Sequence, residues 1–136
     1  MKFGKGEIAL KSKLKILITD DSMLLRKKLS QELERQNCEV IEAKNGKEAV
    51  MMFMTHCPDA VFMDIVMPEL GGIEALIEIK KIDKDAYVIM LSSAGTSSKL
   101  VEALKVGAVD FIQKPYSSEQ ISKSLMDIRK KVNVDA

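Results

Sequence analysis

The chain has 136 residues, enough for one domain whose core needs no disulfide or metal. It carries 21 Lys+Arg against 20 Asp+Glu for a formal net of +1, with 46% apolar and 4% aromatic residues. That balance argues against a disordered chain, a general nucleic-acid binder and an aromatic platform for single strands. No apolar run approaches the ~18 residues of a membrane span, and Met1 to Lys13 lacks the apolar core of a signal peptide. Cys38 and Cys57 have no metal-ligand spacing, and His56 is the only histidine. The expectation is a cytoplasmic protein with reduced thiols and no membrane insertion.

In chain order, Lys15–Thr19 is a first strand, apolar at Ile16, Leu17 and Ile18 as a strand covered on both faces should be. A helix follows from about Met23 to Gln36, with Leu25, Leu29 and Leu33 on one stripe and Ser22 or Asp21 as its cap. Glu39–Ala43 is a second strand. Asn45-Gly46 turns into a second helix through about His56, with Ala49, Val50 and Phe53 inward. Ala60–Met63 is the most apolar strand and ends at Asp64. After the breaker loop Met67–Gly72, a third helix runs from about Ile73 to Ile82. Ala86–Leu91 is a fourth strand, Ser92–Thr96 a small-residue loop, and Ser97–Val106 a fourth helix with Leu100, Val101 and Leu104 inward. Gly107 ends that helix. Asp110–Gln113 is the fifth strand. Ser117 and Gln120 have capping-box spacing ahead of a last helix striped by Ile121, Leu125, Ile128 and Val132. Repeated βα units imply an α/β fold, a parallel sheet with helices on both faces, and a site at the carboxyl ends of the strands.

Those ends hold Asp20 and Asp21, then Asp64, Ser92 and Lys114; nothing stands out after the second strand. Converging carboxylates repel one another, by about 4 kcal/mol per pair ~4 Å apart at an effective dielectric of 20. A cation must offset them. Oxygen-only ligands suit Mg²⁺, which pairs one or two carboxylates with phosphate oxygens. With an ammonium and a hydroxyl added, the set can hold a phosphoryl group on a carboxylate oxygen. Singly, each residue also has a plain structural reading as a helix cap, a loop solvator or a solvated cation.

The runs Ile18-Thr19-Asp20-Asp21-Ser22, Phe62-Met63-Asp64-Ile65-Val66-Met67-Pro68, Met90-Leu91-Ser92-Ser93 and Gly107 to Pro115 closely resemble the response-regulator receiver domain of two-component signalling, over about Leu14 to Val132. The resemblance implies a flavodoxin-like, doubly wound five-stranded parallel sheet in the order 2-1-3-4-5 with five helices. It implies Asp64 as phosphoacceptor and Mg²⁺ (or Mn²⁺) on Asp20, Asp21, Asp64 and the main-chain carbonyl of Val66. Ser92 and Lys114 would bind the phosphoryl oxygens. Phe111 matches an aromatic switch whose ring turns inward when the Ser92 hydroxyl moves. Val66 and Ala94 occupy the positions that border the approach of hydrolytic water. The implied partners are a histidine kinase or phosphotransfer protein and an output protein, with no direct nucleic-acid contact.

The sequence departs from many relatives at Gly71, where Asp is common, and at Ser93. The expected organisation is a leader over 1–13, a stand-alone receiver domain over 14–132 and a tail over 133–136, acting through binding in chemotaxis-type or relay output. A haloacid-dehalogenase-like hydrolase would want an acid where Val66 stands. A flavin-binding relative would want a phosphate-cradling loop where Asp20-Asp21 stand.

Overall fold

The computed structural model describes residues 13–93 and 97–133. Five strands alternate with five helices: β1 (Leu14–Thr19), α1 (Met23–Arg35), β2 (Cys38–Ala43), α2 (Gly46–His56), β3 (Ala60–Asp64), α3 (Gly72–Ile82), β4 (Val88–Ser92), α4 (Ser97–Val106), β5 (Asp110–Gln113) and α5 (Ser118–Asn133). The strands are parallel in the order β2-β1-β3-β4-β5. The expected leader, apart from Lys13, and the last three residues of the expected tail lie outside the described residues, as does Ala94. No helix among the described residues is long and apolar enough to cross a membrane.

Alternation along the strands divides the core into two layers. Leu14, Ile16 and Ile18 of β1, Phe62 of β3 and Ile89 and Leu91 of β4 pack against Leu29 and Leu33 of α1 and Ile121, Leu125 and Ile128 of α5. Leu17, Val61, Met63, Val88 and Met90 face the other way, onto Ala49 and Phe53 of α2, Leu76 and Ile79 of α3 and Ala103 of α4. A polar clasp also joins α1 to α5. Ser122 Oγ donates to Gln36 Oε1 at 2.8 Å, and Arg129 Nη2 donates to the Gln36 carbonyl at 3.3 Å.

Local chemistry sets the element ends. Ser22 caps α1 by accepting from the Leu25 N–H. Ser117 and Gln120 form the expected reciprocal box: Gln120 N–H donates to Ser117 Oγ at 3.2 Å, and Ser117 N–H to Gln120 Oε1 at 2.8 Å. Gly107 follows α4 at φ +125°, a conformation that favours glycine. Ladder pairing in β4 starts two residues later than expected, because the Ala86 N–H closes a turn onto the Asp83 carbonyl.

Three residues read onto core-facing stripes lie outside the core. In α1, Leu25 is 37% exposed, beside Pro115 and Tyr116 rather than in the core. In α4, Val101 and Leu104 are 54% and 43% exposed; the helix seats itself on Ala103, with Leu100 and Val106 partly buried. Ala103 lets α4 come close, and the buried stripe is Leu100, Ala103 and Val106 rather than Leu100, Val101 and Leu104.

Candidate functional site

The carboxyl ends of β1 and β3 bring Asp20, Asp21 and Asp64 together, one oxygen of each lying within 4.8 Å of the others. Asp20 and Asp64 are buried and Asp21 is exposed. Lys114, just past β5, reaches across the sheet edge. Its Nζ donates to Asp20 Oδ2 at 2.8 Å and to Asp64 Oδ2 at 3.1 Å. The other Asp20 oxygen accepts from the Ser22 N–H at 2.9 Å, so the residue that caps α1 also orients the first acid. The Lys114 N–H in turn donates to the Ser92 carbonyl at 2.7 Å, fixing where its stem begins.

Three carboxylates against one ammonium leave the cluster two negative charges in excess. Burial pushes the Asp64 carboxyl above its ordinary range. Lys114 partly counters this, and Asp20 and Asp21 reinforce it. Burial alone would lower the Lys114 ammonium, but the paired Asp20 and Asp64 outweigh it and hold the group above its usual value. Oxygen donors, close spacing and unbalanced negative charge fit a small divalent cation.

Ser92 ends β4 and is buried. Phe111 lies on the edge strand β5, opposite Met90 in register, and is 43% exposed; its ring stands outside the cluster. Val66 follows β3 in a loop framed by backbone bonds at both ends. Gly72 N–H donates to the Ile65 carbonyl at 2.9 Å, and Gly46 N–H to the Leu70 carbonyl at 3.0 Å. Both glycines are sterically required. An added Cβ would lie 2.0 Å from the Asp64 carbonyl oxygen at Gly72 and 2.3 Å from the Leu70 oxygen at Gly46. The Val66 side chain is exposed.

β2 contributes through Glu42, inside the strand rather than after it. Glu42 accepts from Arg26 Nε at 2.9 Å and from Lys27 Nζ at 3.0 Å, and Arg26 Nη1 donates to the Asp20 carbonyl at 2.7 Å. Neither Arg26 nor Glu42 was found from sequence. An acid at the end of one strand and an arginine in the second turn of the preceding helix was the available signal.

Comparison with known proteins gives a consistent result. A family described as the response regulator receiver domain matches residues 16–126. The chemotaxis protein CheY of Bacillus subtilis is 43% identical over 112 residues, covering 82% of this chain and 93% of that protein. The CheY protein of Thermotoga maritima is 41% identical over 117 residues, covering 85% and 98%. Among solved structures, a response regulator receiver domain protein from Clostridium thermocellum superposes with a TM-score of 0.85 at 30% identity, over 90% of this chain and 99% of that one.

Proposed function

The chain belongs to the response regulator receiver domains, and from that premise we propose that it takes a phosphoryl group onto Asp64 from a phosphohistidine of a partner kinase or phosphotransfer protein. It is a CheY-type signalling module working through phosphorylation. The observation that carries the chemical proposal is the Lys114 ammonium clamped between Asp20 and Asp64, with Asp21 in reach of both.

An Asp64 carboxylate oxygen attacks phosphorus in line. The O–P bond forms, the P–N bond breaks, and the imidazole nitrogen keeps the bonding pair. Lys114 already stands at hydrogen-bond distance from Asp64, so it can follow an oxygen of the incoming group with little movement. A Mg²⁺ or Mn²⁺ ion on Asp20, Asp21, Asp64 and the Val66 carbonyl would neutralise charge on the phosphoryl oxygens. Ser92 offers its hydroxyl from the neighbouring strand end. Drawing that hydroxyl toward the phosphoryl group clears space for the exposed Phe111 ring to turn inward, which changes the β5 surface offered to an output protein. The receiver unit spans 14–132 and works in the cytoplasm alongside its kinase.

The test is labelling by a small-molecule phosphodonor with Mg²⁺ present, read by intact mass. The parent is labelled once and Asp64→Asn not at all, because the amide oxygen is a poor nucleophile. Label retained in that variant on any residue overturns the assignment.

A further inference from the structure

The geometry points to Arg26 as a positioning residue that sets the direction of Asp20 and Asp21 by holding the carbonyl between them; this rests on the reading of Asp20 as a metal ligand. Side chains on an α-helix lean toward its N-terminus, so an arginine in the second turn of α1 reaches back over the first. Arg26 does so with its side chain only 12% exposed. Nη1 donates to the Asp20 carbonyl at 2.7 Å while Nε donates to Glu42 Oε1 at 2.9 Å. Glu42 is held on its other oxygen by Lys27 Nζ at 3.0 Å. The Asp20 N–H donates to the Ala43 carbonyl at 3.2 Å. Both main-chain groups of Asp20 are therefore tied to the end of β2, one directly and one through Arg26 and Glu42.

Asp20 lies one residue beyond the β1 ladder, where no strand neighbour fixes the plane of the Asp20–Asp21 peptide. Turning that plane swings both acids. Arg26 supplies the missing restraint, and it needs a guanidinium to do so. Two nitrogens of one planar group hold two acceptors in a fixed geometry, whereas a lysine there would have to bring one flexible ammonium within reach of both.

Charge alone predicts the opposite effect. Arg26 is a cation beside an anionic cluster, so its removal should tighten Mg²⁺ if Coulomb forces decide. If positioning decides, removal loosens it. Partners that orient metal ligands typically contribute about tenfold or more in affinity.

The experiment is a Mg²⁺ titration of the full chain, followed by backbone amide shifts, on the parent, Asp20→Asn, Arg26→Met and Arg26→Lys. The expected result is about a tenfold or greater rise in the Mg²⁺ dissociation constant in both Arg26 variants, in samples whose spectra show the native fold. Arg26→Lys keeps the charge and carries the test if Arg26→Met does not fold. A merely structural role would lower the urea midpoint and leave the dissociation constant of the folded protein unchanged. An unchanged or lower constant in either Arg26 variant, with Asp20→Asn weakened, overturns the role of Arg26 and leaves Asp20 a ligand. Failure of the parent to bind, or no effect of Asp20→Asn, overturns the metal reading and this inference with it.

Discussion

Lys114→Met removes the ammonium from the carboxylate cluster while keeping most of its stem. At an effective dielectric of 20, its contacts of 2.8 Å to Asp20 and 3.1 Å to Asp64 are worth about 6 and about 5 kcal/mol before desolvation is charged against them. The side chains are 15%, 4% and 10% exposed for Lys114, Asp20 and Asp64, which places them among buried pairs. Removing one partner of such a pair costs about 3–5 kcal/mol net. In EDTA at neutral pH the urea midpoint should fall by roughly 1.5–2.5 M, taking a slope of about 2 kcal/mol per molar. The variant cluster has three negative charges and no internal counter-charge, so its Mg²⁺ affinity should rise. Saturating Mg²⁺ should then recover most of the lost stability, because ligand binding to the folded state adds to it. The assay is urea unfolding by circular dichroism with EDTA and with Mg²⁺. A midpoint that drops equally in both buffers, or Mg²⁺ binding weaker than in the parent, would refute the view of Lys114 as the cluster's own counter-ion.

Gly72→Ala should lower stability by more than the ~1–3 kcal/mol of ordinary overpacking, because the new methyl meets the main chain of Asp64 and Ile65 rather than a movable side chain; a urea midpoint within error of the parent would contradict this. Burial raises the Glu42 carboxyl, but Lys27 and Arg26 outweigh it and hold the group below its ordinary 4.5. Its contribution is thus present above 4.5 and lost as pH falls through the lowered value. Glu42→Gln should flatten the stability profile below pH 4.5, and an acid limb as steep as the parent's would count against the pairing. A thiol reagent should label one cysteine in the native protein, the exposed Cys57, and reach Cys38 only on unfolding, since burial both covers that thiol and raises its pKa; rapid native labelling of both would show that β2 opens locally.

The legible part of this protein was the part written in strong signals. Two-sided apolar strands at Ile16–Ile18 and Ala60–Met63 gave the sheet, and acids and a lysine just past strand ends gave the cluster that Lys114 closes. What stayed hidden depends on partners far apart in sequence. Arg26 and Glu42 are ordinary surface residue types until β2 lies beside β1 and their side chains meet behind Asp20. Val101 and Leu104 carry the hydropathy of core residues, yet the core chose Ala103, because close approach rather than apolar mass decides which face of α4 turns in. Leu25 continues the Leu29/Leu33 stripe by period alone, but it lies beside Pro115 and Tyr116 and stays exposed.

The footing of α4 has a thermal consequence. Three fully buried residues, Ile121, Leu125 and Ile128, hold α5, at roughly 1.5–3 kcal/mol each. The polar clasp through Gln36 adds to that. Ala103 offers α4 a single methyl, worth about 0.8 kcal/mol, plus the partly buried Leu100 and Val106. Detaching α4 therefore costs less than detaching α5, and native amide exchange should run through α4 before α5 opens. A helix seated so lightly needs a smaller bias to shift its population than the α1–α5 side does.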